Sequence, residues 1–167
     1  RLPGTEIRRD RRAGRLRAAM MEDAMKAKLI NDGPQRTFAV VFDKGDEVLA
    51  GLARFAKEQR LAASELSGLG ALSDAVLGYF DWQKKDYERI TIDEQVEVLN
   101  LTGNIALNEG EPKLHPHIVV GKADGTAHGG HLLEAHVRPT LEVIVTESPI
   151  HLQRRSDPET GLALLAL

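Results

Sequence analysis

Cysteine is absent from the sequence, which excludes disulfides, thiolate nucleophiles and cysteine-based metal sites. Any transition metal must then be held by His, Asp or Glu. Aromatic residues are scarce, with one Trp, two Tyr and four Phe. Three of them crowd together at Tyr79, Phe80 and Trp82, where packing at a sheet edge or subunit interface is the expected role and base stacking the alternative. No apolar run approaches the ~20 residues of a membrane span, and the first residues have no signal-peptide centre, so a cytoplasmic protein without membrane contact is expected. No P-loop, Ser-His-Asp spacing or paired-carboxylate motif is present. Gly68 and Gly70 lack the third glycine and following helix of a dinucleotide fingerprint.

The composition that remains, 42% hydrophobic and 28% charged over 167 residues, suits one globular domain with a core of its own. Charge is unevenly spread. Residues 1–17 hold seven arginines against Glu6 and Asp10, a net of +5, and the other 150 residues carry 15 basic and 23 acidic side chains, a net of −8. Phosphate neutralisation by Lys and Arg supplies nearly all non-specific DNA affinity, so an acidic body leaves that role to the basic head, with Arg8, Arg9, Arg11 and Arg12 as the candidate contacts. Residues 1–28 read as a basic, mobile extension, with a thin helical stripe over residues 15–27, and residues 29–167 as a single domain.

Within that domain, Thr37-Phe38-Ala39-Val40-Val41-Phe42 is an apolar run of strand length. Asp43 to Glu47 open the one principal helix, in which Val48, Leu49, Leu52, Phe55 and Ala56 recur at helical spacing. Residues 62–81 read as two strands, bent at Gly68–Gly70 and turned near Ser73-Asp74. Residues 87–92 form a short strand, and a β segment over residues 94–107 breaks its alternation between Val98 and Leu99, which predicts a bulge. Leu141, Val143 and Val145 mark the buried face of a later strand, and residues 162–167 an apolar tail that caps the core or a neighbouring subunit. Strands follow one another without helices between them, so the fold class is α+β with a mainly antiparallel sheet and one principal helix packed on it.

Five of the six histidines lie between Leu114 and Glu147. His115 and His117, two apart, point to one face of a strand. Asp124-Gly125 then turns the chain, which returns through Gly129-Gly130 into His131. A plain two-residue turn would set His131 opposite Ile118. A one-residue bulge, for which Gly129 and Gly130 are suitable, or a three-residue turn puts it opposite His117 instead. Three imidazoles from adjacent strands would then converge as the ligand set of a divalent metal, zinc first among them, with one position open. His128 and His136 are the rivals for third place. A metal-bearing pocket here would serve a small-molecule ligand. Arg138 and Glu142 are the nearest charged residues in sequence, candidates to hold an anionic substrate or orient an imidazole, or else a surface ion pair.

The H-x-H pair, the Asp-Gly turn, the Gly-Gly-His-Leu return and Arg138-Pro139-Thr140-Leu141-Glu142-Val143 resemble the plant-and-prokaryote-conserved (PPC) domain in a bacterial form. Val98-Leu99-Asn100-Leu101-Thr102-Gly103 resembles that family's E-I-L-S-L-S-G segment, and the likeness covers about residues 37–154. It implies a compact α+β domain that assembles as a homotrimer and carries, in bacteria, a DNA-binding designation. Plant members bind DNA through a separate AT-hook. No Arg-Gly-Arg-Pro core occurs here; the nearest string is Ala13-Gly14-Arg15-Leu16. A more distant likeness, to acetolactate decarboxylases, rests on the same H-x-H and Gly-Gly-His arrangement, and implies a zinc-dependent enzyme acting on a small anionic substrate.

Overall fold

A computed structural model describes residues 25–167. The arginines at positions 8, 9, 11 and 12, and most of the helix expected over residues 15–27, lie outside the described residues. Lys26, Ala27 and Lys28, expected within the extension, belong to the first strand and pair with Val41, Val40 and Ala39.

The described chain forms nine strands and one helix: β1 (Lys26–Asp32), β2 (Arg36–Phe42), α1 (Val48–Gln59), β3 (Ala63–Asp81), β4 (Asp86–Ile92), β5 (Val96–Asn108), β6 (Glu111–Gly121), β7 (Ala127–Glu147), β8 (Gln153–Ser156) and β9 (Ala163–Ala166). All nine belong to one sheet, ordered β1-β2-β7-β3-β5-β8-β9, with β4 added on β3 and β6 bonded to both β5 and β7. Every pairing is antiparallel except a single parallel bridge between Leu107 and Gln153. Because β3 pairs with β5 and β7, and β6 also pairs with β5 and β7, these four strands close a circuit around apolar side chains. This is the expected α+β architecture.

Alternation decides which side chains enter the core. Phe38, Val40 and Phe42 of β2 and Leu141, Val143 and Val145 of β7 are buried, while the residues between them are not. Helix α1 starts at Glu47, whose carboxylate accepts from the Ala50 N–H, and stops at Arg60, which adopts the left-handed conformation at φ 54°. Its buried stripe of Val48, Leu52, Phe55 and Ala56 lies against β6 and β7, and Phe55 meets Phe38 edge to face at 5.3 Å. Each fully buried Leu or Phe on that stripe contributes roughly 1.5–3 kcal/mol. The helix thus holds the hairpin that carries the histidines.

Two expectations about strands are corrected. β3 is one strand of 19 residues and not two, because Ser73-Asp74 makes no turn: a register shift at residues 68–70 against β5, and shifts at 70–74 and 76–77 against β7, absorb the irregularity while pairing with β7 continues to Gly78. Of the two roles expected for the C-terminal tail, capping the core or a neighbouring subunit, the first is corrected. Residues 163–166 pair with β8 as a hairpin, and Leu164 and Leu165 remain exposed. The bulge expected at Val98-Leu99 is present, between Val98 and Asn100.

Candidate metal centre

Turn chemistry sets the register of the histidine hairpin. The Lys122 N–H donates to the Thr126 carbonyl at 2.9 Å and the Gly125 N–H to the Lys122 carbonyl at 2.9 Å, which leaves a three-residue turn, Ala123-Asp124-Gly125. Gly125 takes φ 83°, where a side chain would be strained, and Asp124 accepts from the Thr126 N–H at 2.9 Å and hydroxyl at 2.6 Å. His117 consequently pairs with His131. The irregularity sits at the turn and not at Gly129-Gly130, since pairing runs unbroken from Gly121–Ala127 to His117–His131.

On the other side of β6, Gly103 of β5 lies across from Pro116, between the two histidines of the fork. A Cβ at Gly103 would stand 2.5 Å from the His115 carbonyl oxygen and 2.8 Å from Pro116 Cα. Only glycine lets β5 and β6 approach there.

One nitrogen from each of His115, His117 and His131 can be chosen so that all three lie within 4.8 Å of one another. The Nε2 atoms of His115 and His117 are 3.1 Å apart, and the ring centroids are separated by 5.1, 5.2 and 5.3 Å. Tetrahedral zinc with bonds of about 2.0–2.1 Å needs ligand nitrogens roughly 3.3 Å apart, so modest side-chain movement closes the set. His131 Nδ1 is buried and has no hydrogen-bond partner among the described residues. A buried ring nitrogen left this way is an orphan that a cation can satisfy. The donor set of three imidazoles fits a divalent metal on both counts.

Burial and neighbouring charge favour the neutral form that ligation needs at His131 and His115. Burial first, then the neighbouring His115 and His117 and the more distant Lys113, push His131 down to about 4. Burial, His117 and Arg154 likewise lower His115. The Tyr87 ring stacks on His131 with centroids 4.7 Å apart and planes 24° apart. A pocket of about 580 Å³ opens beside His115 and His131, walled by α1, β6 and the β8–β9 hairpin.

The remaining candidates lie elsewhere. His128 pairs with Val120, one register step out of phase with His117, and is exposed. His136 bonds Asp74 through Nδ1 at 2.8 Å. That bond outweighs burial and raises His136, while Asp74, pushed up by burial, is brought below its usual range by His136 and Ser73. Arg138 and Glu142 do not reach the cluster: β7 is 21 residues long, and at ~3.3 Å per residue they fall up to ~23 and ~36 Å beyond His131. Arg138 is exposed, and Glu142 lines a separate depression with Leu69 and Ile144. Sequence reasoning missed Tyr87, Asn104 and Arg154, which tertiary pairing alone brings to the histidines. Arg154 is 6% exposed, donates to the Ala163 carbonyl at 2.9 Å and to Asn104 Oδ1, and is lowered by burial.

Residues 30–149 match the family described as the Plants and Prokaryotes Conserved (PCC) domain. The chain belongs to this family. Among solved structures it is similar to a candidate DNA-binding protein from Bacteroides thetaiotaomicron, at 30% identity and TM-score 0.79 over 86% of this chain and 98% of that one. It is also similar to a metal-containing protein from Archaeoglobus fulgidus, at 32% identity and TM-score 0.73 over 87% and 99%. A bifunctional GlmU protein of a Synechococcus strain is 33% identical over 132 residues, 77% of this chain. The chain spans about one fifth of the length of the curated relatives it matches. Among the described residues no helix is long and apolar enough to cross a membrane.

Proposed function

We propose that this PPC-domain protein is a cytoplasmic homotrimeric assembly module in which His115, His117 and His131 of each chain hold one divalent ion. The observation that carries the metal reading is the convergence of one nitrogen from each of three imidazoles on two strands, beside a buried His131 Nδ1 that has no partner among the described residues. Three nitrogen donors and no thiolate favour zinc among common cellular metals. The name of the Archaeoglobus relative supports a metal and is silent on its identity. Elemental analysis of purified protein tests the reading: one equivalent of metal per chain is expected, lost in His117→Ala and retained in His151→Ala. Absence of metal after reconstitution with excess zinc would reject it.

Assembly is supported by an apolar sheet face that α1 does not cover. Leu69 and Ile144 are 62% and 43% exposed on either side of a depression that Ala39, Val41 and Gly68 also line. Light scattering is expected to give about three times the chain mass of 18.3 kDa. A concentration-independent monomer would reject the trimer.

DNA association, suggested by the Bacteroides relative's name, is assigned here to Arg8, Arg9, Arg11 and Arg12, because the rest of the chain is acidic. Removing residues 1–24 should abolish a steeply salt-dependent affinity; sequence-specific retention by the truncated protein would overturn that assignment.

The pocket beside the histidines favours a second reading, a metal-dependent enzyme acting on a small anionic molecule. A divalent ion there would supply Lewis acidity toward a substrate oxygen. The chain's own residues would shape and charge the pocket in which that substrate sits.

A further inference from the structure

Arg154 is a buried cation with no acidic partner among the described residues. Its Nη1 and Nη2 are bound to neutral oxygens, the Ala163 carbonyl and the Asn104 amide, and its Nε is buried with no acceptor among the described residues. Buried charges in folded proteins are paired, and guanidinium groups in particular are matched to carboxylates or phosphates in fork geometry. Among the described residues no carboxylate is matched to Arg154.

The place of this cation says where the anion belongs. Asn104, which holds Nη2, pairs across β5 and β6 with His115, so the guanidinium stands one residue from the metal fork. Arg154 and Lys113 both line the pocket of about 580 Å³ beside His115 and His131, and among the described residues no acidic one lines it. The same lining includes Leu49, Leu114, Leu133 and Leu162. A concave site that combines two cations and histidines with leucines fits a small molecule and does not fit duplex DNA.

We infer that this pocket binds a small organic acid: its carboxylate accepts hydrogen bonds from Arg154, a neighbouring oxygen faces the three histidines, and its apolar body lies along the leucines. The inference deepens the reading of the histidines as a metal centre and rests on it for the role of the second oxygen. The anion at Arg154 stands on its own.

Calorimetric titration of metal-reconstituted protein with 4-methyl-2-oxopentanoate, and with the corresponding amide, tests it. Parallel titrations use metal-free protein and inorganic phosphate. The acid should bind at least about tenfold more tightly than the uncharged amide, because only the acid carries the negative charge that Arg154 and Lys113 attract. Arg154→Gln should abolish that preference and Lys113→Gln, an exposed position, should weaken acid binding several-fold, which keeps a test in hand if the buried variant fails to fold. In cobalt-substituted protein the acid should shift the visible spectrum. Equal affinity for acid and amide in protein carrying its full metal overturns the pocket and leaves the metal centre standing. Arg154-dependent acid binding by a protein that takes up no metal does the reverse. Tight phosphate binding with none of the acid overturns the carboxylate assignment.

Discussion

Strand β7 carries two imidazoles five residues apart that their surroundings drive in opposite directions. His131 sits against Tyr87 and beside two further imidazoles, near Lys113, with no carboxylate at hand, and is held neutral down to about 4. His136 is bonded to Asp74, with Glu47 and Glu134 adding to the negative field, and is held charged to higher pH than usual. Between them the register against β3 shifts at Leu133, between the Leu77–Leu132 and Val76–Glu134 pairs. The same side chain on the same strand is prepared as a Lewis base at one end and as a cation a few residues on. A metal ligand has to be neutral near pH 7 and an ion-pair partner has to be charged, so the company of each ring, not its element, assigns its role.

The sharpest way to break this contrast is Gly103→Val. The new side chain meets the backbone of His115 and Pro116, so the fork must move; a cost of roughly 2–3 kcal/mol is expected from forced overpacking, read as a lowered melting temperature, together with loss of stoichiometric metal. The His136–Asp74 pair, outside the disturbed strands, should keep its titration by NMR. Loss of both titrations together would mean that the substitution unfolds the domain, and unchanged metal content would show that the fork does not depend on Gly103.

A smaller effect separates the two rings by pH. Unfolded His131 takes up its proton near ~6.5, whereas in the folded metal-free chain it does so only at about 4. The unfolded state therefore binds more protons in that window, and metal-free protein should lose stability as pH falls from about 6.5 toward 4, a slope that His131→Asn should reduce. The raised His136 contributes with the opposite sign: its stabilisation is complete below about 6.5 and disappears as pH rises through its folded value. Asp74→Asn should bring the His136 titration back toward that of an ordinary imidazole. A His136 that already titrates below His131 in the parent protein would reverse the comparison.

The smallest expected change is none. His128→Ala should leave metal content and both titrations as they were, since His128 is out of phase with His117. Metal loss in this variant would put the wrong third ligand in the set.

The histidine hairpin was legible because everything that shapes it is local. Alternation puts His115 and His117 on one face, and Asp124-Gly125 announces a turn that needed only its length decided. Helix α1 was legible for a similar reason, its apolar spacing and the capping Glu47 being contained in a short stretch. Where local signals conflicted, tertiary pairing decided. Gly68 and Ser73-Asp74 look like breaks, yet β7 runs alongside and keeps β3 whole. The pocket was invisible for a different reason. Asn104 and Arg154 are 50 positions apart and meet only after β8 docks beside β5, and nothing in the residues around Arg154 announces a buried cation. Arg138 and Glu142 misled because nearness in sequence along an extended strand is distance in space.

The three-residue turn at Ala123-Asp124-Gly125 joins two strands that other strands already hold, β6 by β5 and β7 by β3. A residue removed from it leaves a two-residue connection with Lys122 still opposite Thr126, and a residue added leaves a four-residue one, both lengths that hairpins use. The tip should therefore tolerate changes of length with its metal intact. A residue deleted inside β7, between Ala127 and His131, has nowhere to be absorbed: it turns His131 to the opposite face and should cost the metal as surely as mutating a histidine.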